Sequence, residues 1–138
     1  MSEEEKEPEV KKCKVVFIGD AGVGKTCIIN RFVKGIYNIK EMSTNGATFT
    51  NKTLKFKDKN INLQLDIWDT AGQEKFKAMG KFFYKGAAIA VLVYDITRME
   101  SFNNLKDFWM KQLKNNSEKN ISKILFYFNI KYSYRNMW

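Results

Sequence analysis

The chain has 138 residues, 44% of them hydrophobic and 28% charged, with a formal charge of +9 and no histidine. That length and composition fit one soluble domain with one core, and the lack of imidazole excludes histidine acid–base chemistry and histidine metal ligation. No apolar stretch approaches the ~18 residues that a membrane-spanning helix needs.

Residues 1–10, MSEEEKEPEV, hold five glutamates against Lys6 and read as a disordered acidic arm, neither a signal nor a transit peptide. The opening Met-Ser, rather than Met-Gly, lacks a myristoylation signal. The remainder is therefore more basic than the total suggests. Its lysines (Lys52, Lys55, Lys57, Lys59, Lys75, Lys77, Lys81, Lys85) are scattered, with no interleaved aromatic signature of the kind that reads RNA. They are read as a solvated surface, with an anionic membrane the lesser option and nucleic acid not expected as a partner.

Lys12 to Ile18 predicts a strand whose apolar continuity implies burial on both faces, as in a parallel sheet. Helix is predicted from about Lys25 to Val33. Residues 34–49, with Gly35, Asn38, Asn45 and Gly46, lack a period and read as a long loop of the functional kind. Thr50 to Phe56, the turn Asp58-Lys59-Asn60 and Ile61 to Trp68 predict a hairpin. Its second strand alternates Ile61, Leu63, Leu65 and Ile67 with Asn62, Gln64 and Asp66. Residues 74–85 read as a short irregular helix and Ala87 to Tyr94 as a central strand. Ser101 opens a helix with Phe102, Leu105, Phe108, Trp109, Gln112 and Leu113 at near-helical spacing, and Ile121 to Phe128 is a last strand. The order describes an α/β, doubly wound, mostly parallel sheet with one antiparallel edge strand. Cys13 and Cys27 read as small buried side chains in a reducing compartment, with no disulfide.

Between the first strand and first helix lies Gly19-Asp20-Ala21-Gly22-Val23-Gly24-Lys25-Thr26, a complete Walker A pattern. A strand delivers the loop, glycines let backbone N–H groups turn inward, and the helix points its positive end at an anion. The segment Asp69-Thr70-Ala71-Gly72-Gln73-Glu74 follows at a strand's C-terminal end, where open α/β sheets place ligands. There Asp69 can hold the water shell of Mg²⁺ while Thr26 ligates the metal. Gly72 permits close backbone approach to a terminal phosphate, and Gln73 can orient a water.

From Lys12 to Lys114 the chain resembles the Ras-like small GTPases, and within them the Rab branch. The marks are GDAGVGKT, WDTAGQEKF, Phe83-Tyr84-Lys85-Gly86-Ala87 and Tyr94-Asp95-Ile96-Thr97 leading to Ser101-Phe102. The resemblance implies a P-loop NTPase-type G domain over residues 11–128, binding GTP or GDP with Mg²⁺ and acting as a switch in vesicle trafficking. Ala21, Gly22, Val23, Gly24, Lys25, Thr26 and Cys27 would surround the phosphates, with Lys25 on the β- and γ-phosphates. Thr44 would sense the γ-phosphate through the metal, which Thr26 and Asp69 also serve. Tyr37 would cover the guanine ring, and Gln73 would position the hydrolytic water. Effectors, exchange factors and GTPase-activating proteins would bind a monomer through residues 34–50 and 70–80 in the cytoplasm.

Three departures from the family carry consequences. Ala21 puts a methyl group where Gly or Ser is common, which predicts slow hydrolysis. Asn45 replaces an apolar residue on the effector face. The guanine-selecting N-K-x-D is absent: Asn129-Ile130-Lys131-Tyr132 lacks its aspartate, and no acidic residue follows Glu118. The last strand, last helix and prenylated cysteines of the family, which attach it to endomembranes, are also expected to be missing, with residues 129–138 a divergent tail. The alternative is a truncated, non-enzymatic remnant or interaction module with weak nucleotide binding. A P-loop kinase or other ATPase is disfavoured, because nothing suggests an acceptor-substrate lid.

Overall fold

A computed structural model describes residues 6–36, 46–70 and 80–128, the last three by their backbone. Among these residues five strands form one sheet in the order β2-β3-β1-β4-β5. They are β1 (Glu9–Ile18), β2 (Thr48–Phe56), β3 (Ile61–Asp69), β4 (Ala87–Asp95) and β5 (Ser122–Phe128). β1 pairs in parallel with β3 and β4, and β4 with β5. Only β2 runs antiparallel, against β3. The fold is the expected P-loop NTPase-type, doubly wound α/β sheet.

The period of two along the central strands sorts the core into two layers. Val15, Phe17, Val91 and Val93 face the side covered by α1 (Lys25–Lys34), meeting Val23, Ile29 and Ile67. Val16, Ile18, Ala90 and Leu92 face the other side, meeting Phe83 and Tyr84 of α2 (Gly80–Tyr84) and Leu105, Trp109 and Leu113. The unbroken apolar runs are therefore buried on both faces, as their lack of alternation predicts.

The last three of those residues belong to one continuous helical rod. It comprises α3 (Met99–Asn104), a π turn (Leu105–Trp109) and α4 (Met110–Asn116). Its backbone stays right-handed across both junctions, while the Met110 N–H reaches back five residues to the Leu105 carbonyl.

Several boundaries differ from the sequence expectation. β1 begins at Glu9, inside the segment read as an arm, because Glu9 through Phe17 pair residue for residue with β3 and the Glu9 N–H donates to the Asn60 carbonyl. Thr48 and Phe49, read as loop, extend β2 by pairing with Asp69 and Trp68. Cys13 and Cys27 are half-buried rather than buried, and burial together with Asp66 pushes the Cys13 thiol pKa up. The hairpin turn is a 3₁₀ turn, Lys57–Lys59, closed by Asn60 in the left-handed region. Residues 37–45, 71–79 and 129–138 lie outside the described residues. They include Tyr37, Thr44, Asn45, Gly72 and Gln73, the first part of the irregular helix read over 74–85, and the tail.

Candidate phosphate and metal site

The site is assembled by register. Phe17 of β1 is level with Asp69, the last residue of β3, so the loop leaving β1 and the carboxylate ending β3 emerge side by side. Gly19 makes the first turn at φ +147°, and a Cβ there would sit 2.1 Å from the Val93 carbonyl oxygen, so no larger residue fits. Gly24 enters α1 in the left-handed region. The first turn of α1 holds no acidic side chain and its N-cap makes no side-chain hydrogen bond, which suits an anion at the helix's positive end.

Lys25 lies under the loop, 4% exposed. Its Nζ donates to the carbonyls of Gly19 (2.9 Å) and Asp20 (2.8 Å). Burial lowers its pKa from the ordinary 10.5 to about 8. The nearby Asp69 and Asp20 carboxylates oppose that shift and Arg98 adds to it. A buried ammonium that, among the described residues, donates to two carbonyls is poised to take a stronger anionic partner.

Thr26 and Asp69 meet directly: the Thr26 hydroxyl donates to Asp69 Oδ2. A hydroxyl and a carboxylate in contact beside a phosphate loop are hard oxygen donors suited to Mg²⁺, which takes one or two protein ligands and completes its shell with phosphate and water. Among the described residues no cluster of three or more His, Cys, Asp or Glu side chains forms a dedicated metal cage. The two-donor arrangement thus fits Mg²⁺ held jointly with a phosphate ligand. Thr70, next along, donates to the Phe17 carbonyl at 3.3 Å and fixes the chain leaving β3.

The remaining predicted residues separate. Ala21 and Gly22 are exposed on the loop, while Gly24 and Cys27 are half-buried near the helix start. Val23 is fully buried in the α1-side core, so its side chain serves packing and only its backbone faces the loop interior. Tyr37, Thr44, Gly72 and Gln73 lie outside the described residues.

Sequence reading missed two features. The first is a chain of edge-to-face rings, with centroids 5.2 Å apart for Phe49–Trp68, 6.4 Å for Trp68–Phe83 and 5.2 Å for Phe83–Tyr84. Lys14 stands over the second ring of the series, its Nζ 4.9 Å from the Trp68 ring centroid and donating to the Lys85 carbonyl at 2.9 Å. Phe49 is half exposed, so this aromatic seam reaches the surface at β2.

The second is a set of bonds to the loop from the far side. Trp109 Nε1 and Asn104 Nδ2 each donate to a different oxygen of the Asp20 carboxylate at 2.7 Å. An Arg98 guanidinium N–H donates to the Ala21 carbonyl at 3.1 Å. Arg98 is itself set by Asp95, whose other oxygen takes the Thr97 N–H and hydroxyl. Neither set is signalled by a local pattern.

A strand–loop–helix with a buried lysine, and a hydroxyl–carboxylate pair at the mouth of a doubly wound sheet, define a P-loop nucleotide-binding domain. The family model described as "Ras family" matches residues 14–130. The Ras-related protein RABA1b of Arabidopsis thaliana is 48% identical over 108 residues, which cover 78% of this chain and 49% of that protein. The Ras-related protein Rab-13 of Rattus norvegicus is 45% identical over 112 residues, 81% of this chain and 54% of that one. The Ras-related protein Rab-11B of Dictyostelium discoideum is 46% identical over 107 residues, 78% and 47%. The chain belongs to the Ras family and, within it, to the Rab-type small GTPases. It spans about half the length of the curated relatives it matches.

Proposed function

We propose that the chain is a guanine-nucleotide switch of Rab type, binding GDP and GTP with Mg²⁺ and hydrolysing GTP slowly, in the service of vesicle trafficking. The observation that carries this reading is the buried Lys25 beneath the loop, beside the Thr26–Asp69 pair. Lys25 would exchange two carbonyls for the β- and γ-phosphates, and the N–H groups opening α1 would face the same anion. Thr26 and Asp69 would hold the metal, whose positive charge offsets that of the phosphates. The exposed Ala21 methyl stands at the loop's outer rim, where it would crowd a water oriented by Gln73 and slow its attack. Thr44, Gly72 and Tyr37 take their roles from the family resemblance.

Effector, exchange-factor and GTPase-activating proteins would engage residues 34–50 and 70–80 of a cytoplasmic monomer. The exposed Phe49 end of the aromatic seam offers them an apolar contact. No helix among the described residues is long and apolar enough to cross a membrane, and membrane attachment would rest on a lipid anchor as in the family. A second reading is a weakly binding, non-enzymatic module. It draws support from Ile124 and Leu125 of β5, which are 47% and 60% exposed.

The test is labelled-GDP binding in Mg²⁺, competed by GDP and by ADP, followed by single-turnover GTP hydrolysis. Micromolar or tighter binding with hydrolysis slowed by Gln73→Leu supports the switch. Binding that is lost in neither Lys25→Ala nor Thr26→Asn contradicts it. Asn129-Ile130-Lys131-Tyr132 carries no aspartate where the family's N-K-x-D would stand, so GDP and ADP are expected to compete within about tenfold of each other.

A further inference from the structure

Asp20 puts a carboxylate at the second position of a loop proposed to bind phosphate. Its negative charge belongs to the same loop as the proposed phosphate site and has to be directed elsewhere and compensated. Both oxygens are taken from the opposite side, Oδ1 by the Trp109 indole N–H and Oδ2 by the Asn104 amide, each at 2.7 Å. Trp109 is buried and its ring is locked in the core against Phe108. The Asp20 carbonyl, on the other side of the same residue, receives Lys25 Nζ. The orientation of the Asp20 peptide therefore links the helical rod to the phosphate-binding lysine.

The π turn explains how two residues five apart can grip one carboxylate. On a regular α-helix, positions 104 and 109 would lie about 140° apart around the axis and face different ways. A turn closed over five residues brings position 109 back beneath position 104. The irregular turn thus falls at the one place along the rod where both side chains must point to the loop. Its two donors are an indole and an amide, neutral groups that compensate the carboxylate without adding a cation to compete with Lys25 for phosphate.

We propose that Asn104 and Trp109 are positioning residues for nucleotide binding: through the π turn they hold the Asp20 carboxylate away from the phosphates and so fix the loop backbone around Lys25. The inference rests on the nucleotide-site reading above. Loss of either donor would free the carboxylate to swing toward the phosphate and let the loop fluctuate, which should show mainly as faster release of bound nucleotide.

The experiment is a double-mutant cycle on dissociation of labelled GDP from the full chain in Mg²⁺, using Asp20→Ala, Trp109→Phe and the pair. Trp109→Phe keeps a buried ring and removes the donor. Asn104→Ala, at a half-buried position outside the core, serves as a second probe should Trp109→Phe not fold. Trp109→Phe and Asn104→Ala should each release GDP roughly tenfold faster than the unaltered chain. In the Asp20→Ala background, Trp109→Phe should add less than about twofold, because its partner is gone. Unchanged release in both donor variants, or effects that multiply in the pair, overturns the clamp while leaving the nucleotide site intact. An unaltered chain that does not retain labelled GDP overturns the nucleotide reading, and the clamp falls with it.

Discussion

Substituting Gly19 by alanine tests whether the phosphate loop is shaped by its close approach to β4. The new Cβ would lie 2.1 Å from the Val93 carbonyl oxygen and 3.2 Å from its carbon. Ordinary contact begins near 3.4 Å, so strand or loop must move by more than about 1 Å, an overpacking cost of ~1–3 kcal/mol. The φ of +147° adds ~1–3 kcal/mol of backbone strain for a residue with a side chain. The sum, about 2–6 kcal/mol, is a large part of the ~5–15 kcal/mol that holds a domain together. Gly22→Ala is the comparator. It also has positive φ, +72°, but its Cβ would meet only an Arg98 nitrogen at 4.0 Å, so it bears the backbone cost of ~1–2 kcal/mol alone. Urea unfolding of the nucleotide-free chain, followed by circular dichroism, should give a much lower midpoint for Gly19→Ala than for Gly22→Ala. Equal midpoints would refute the clash argument.

Lys25 predicts a pH dependence of both stability and binding. Its folded pKa of about 8 lies below the ordinary 10.5, so the folded chain sheds this proton first. The unfolded chain then binds more protons across that window, and nucleotide-free stability attributable to Lys25 rises between pH 8 and 10.5 by up to ~3 kcal/mol. The difference between the unaltered chain and Lys25→Met in urea midpoint against pH reads it. Bound phosphate favours the ammonium, so GDP affinity should fall about tenfold from pH 7 to 9; a flat profile contradicts the assignment. Asp69→Asn removes the carboxylate that receives the Thr26 hydroxyl. It should abolish most of the Mg²⁺-dependent gain in affinity while leaving binding in chelator nearly unchanged, measured by GDP titration with and without Mg²⁺. Asp95→Ala strips the acceptor of the Thr97 N–H and hydroxyl at the β4–α3 corner. It should cost about 2 kcal/mol in urea unfolding.

What could be read from residues alone follows the reach of each interaction. β1, β3 and β4 were legible because burial leaves its imprint on consecutive residues: a continuous run where both faces are covered, an alternating one where a face is half open. The phosphate loop was legible because glycine spacing is a local requirement. The start of β1 was not, since Glu-Val-Lys-Lys has the composition of a solvated arm, and only its ladder with β3 makes it a strand. Thr48 and Phe49 were hidden likewise, their extension coming from Asp69 and Trp68 across the hairpin. The grip on Asp20 was least legible. Asn104 and Trp109 look like ordinary helix positions, and the turn that aligns them exists only in three dimensions.

The sheet order also constrains the sequence of events in synthesis. β1 leaves the ribosome before the other described strands, yet it ends as the middle of the sheet, with Glu9 beside Ile61 on one flank and Val15 beside Ile89 on the other. Among the described strands only the β2–β3 hairpin can close from neighbouring residues and so form early and fast. β1 must wait, unpaired and strongly apolar at Val15 to Ile18, first for that hairpin and then for β4. The carbonyl of Val93 that confines Gly19 arrives with β4, and the Asn104 and Trp109 donors to Asp20 later still. The nascent chain therefore has no shaped nucleotide site until residue 109 or so has emerged, since Trp109 holds Asp20, and during that interval the exposed apolar strand is a target for chaperones.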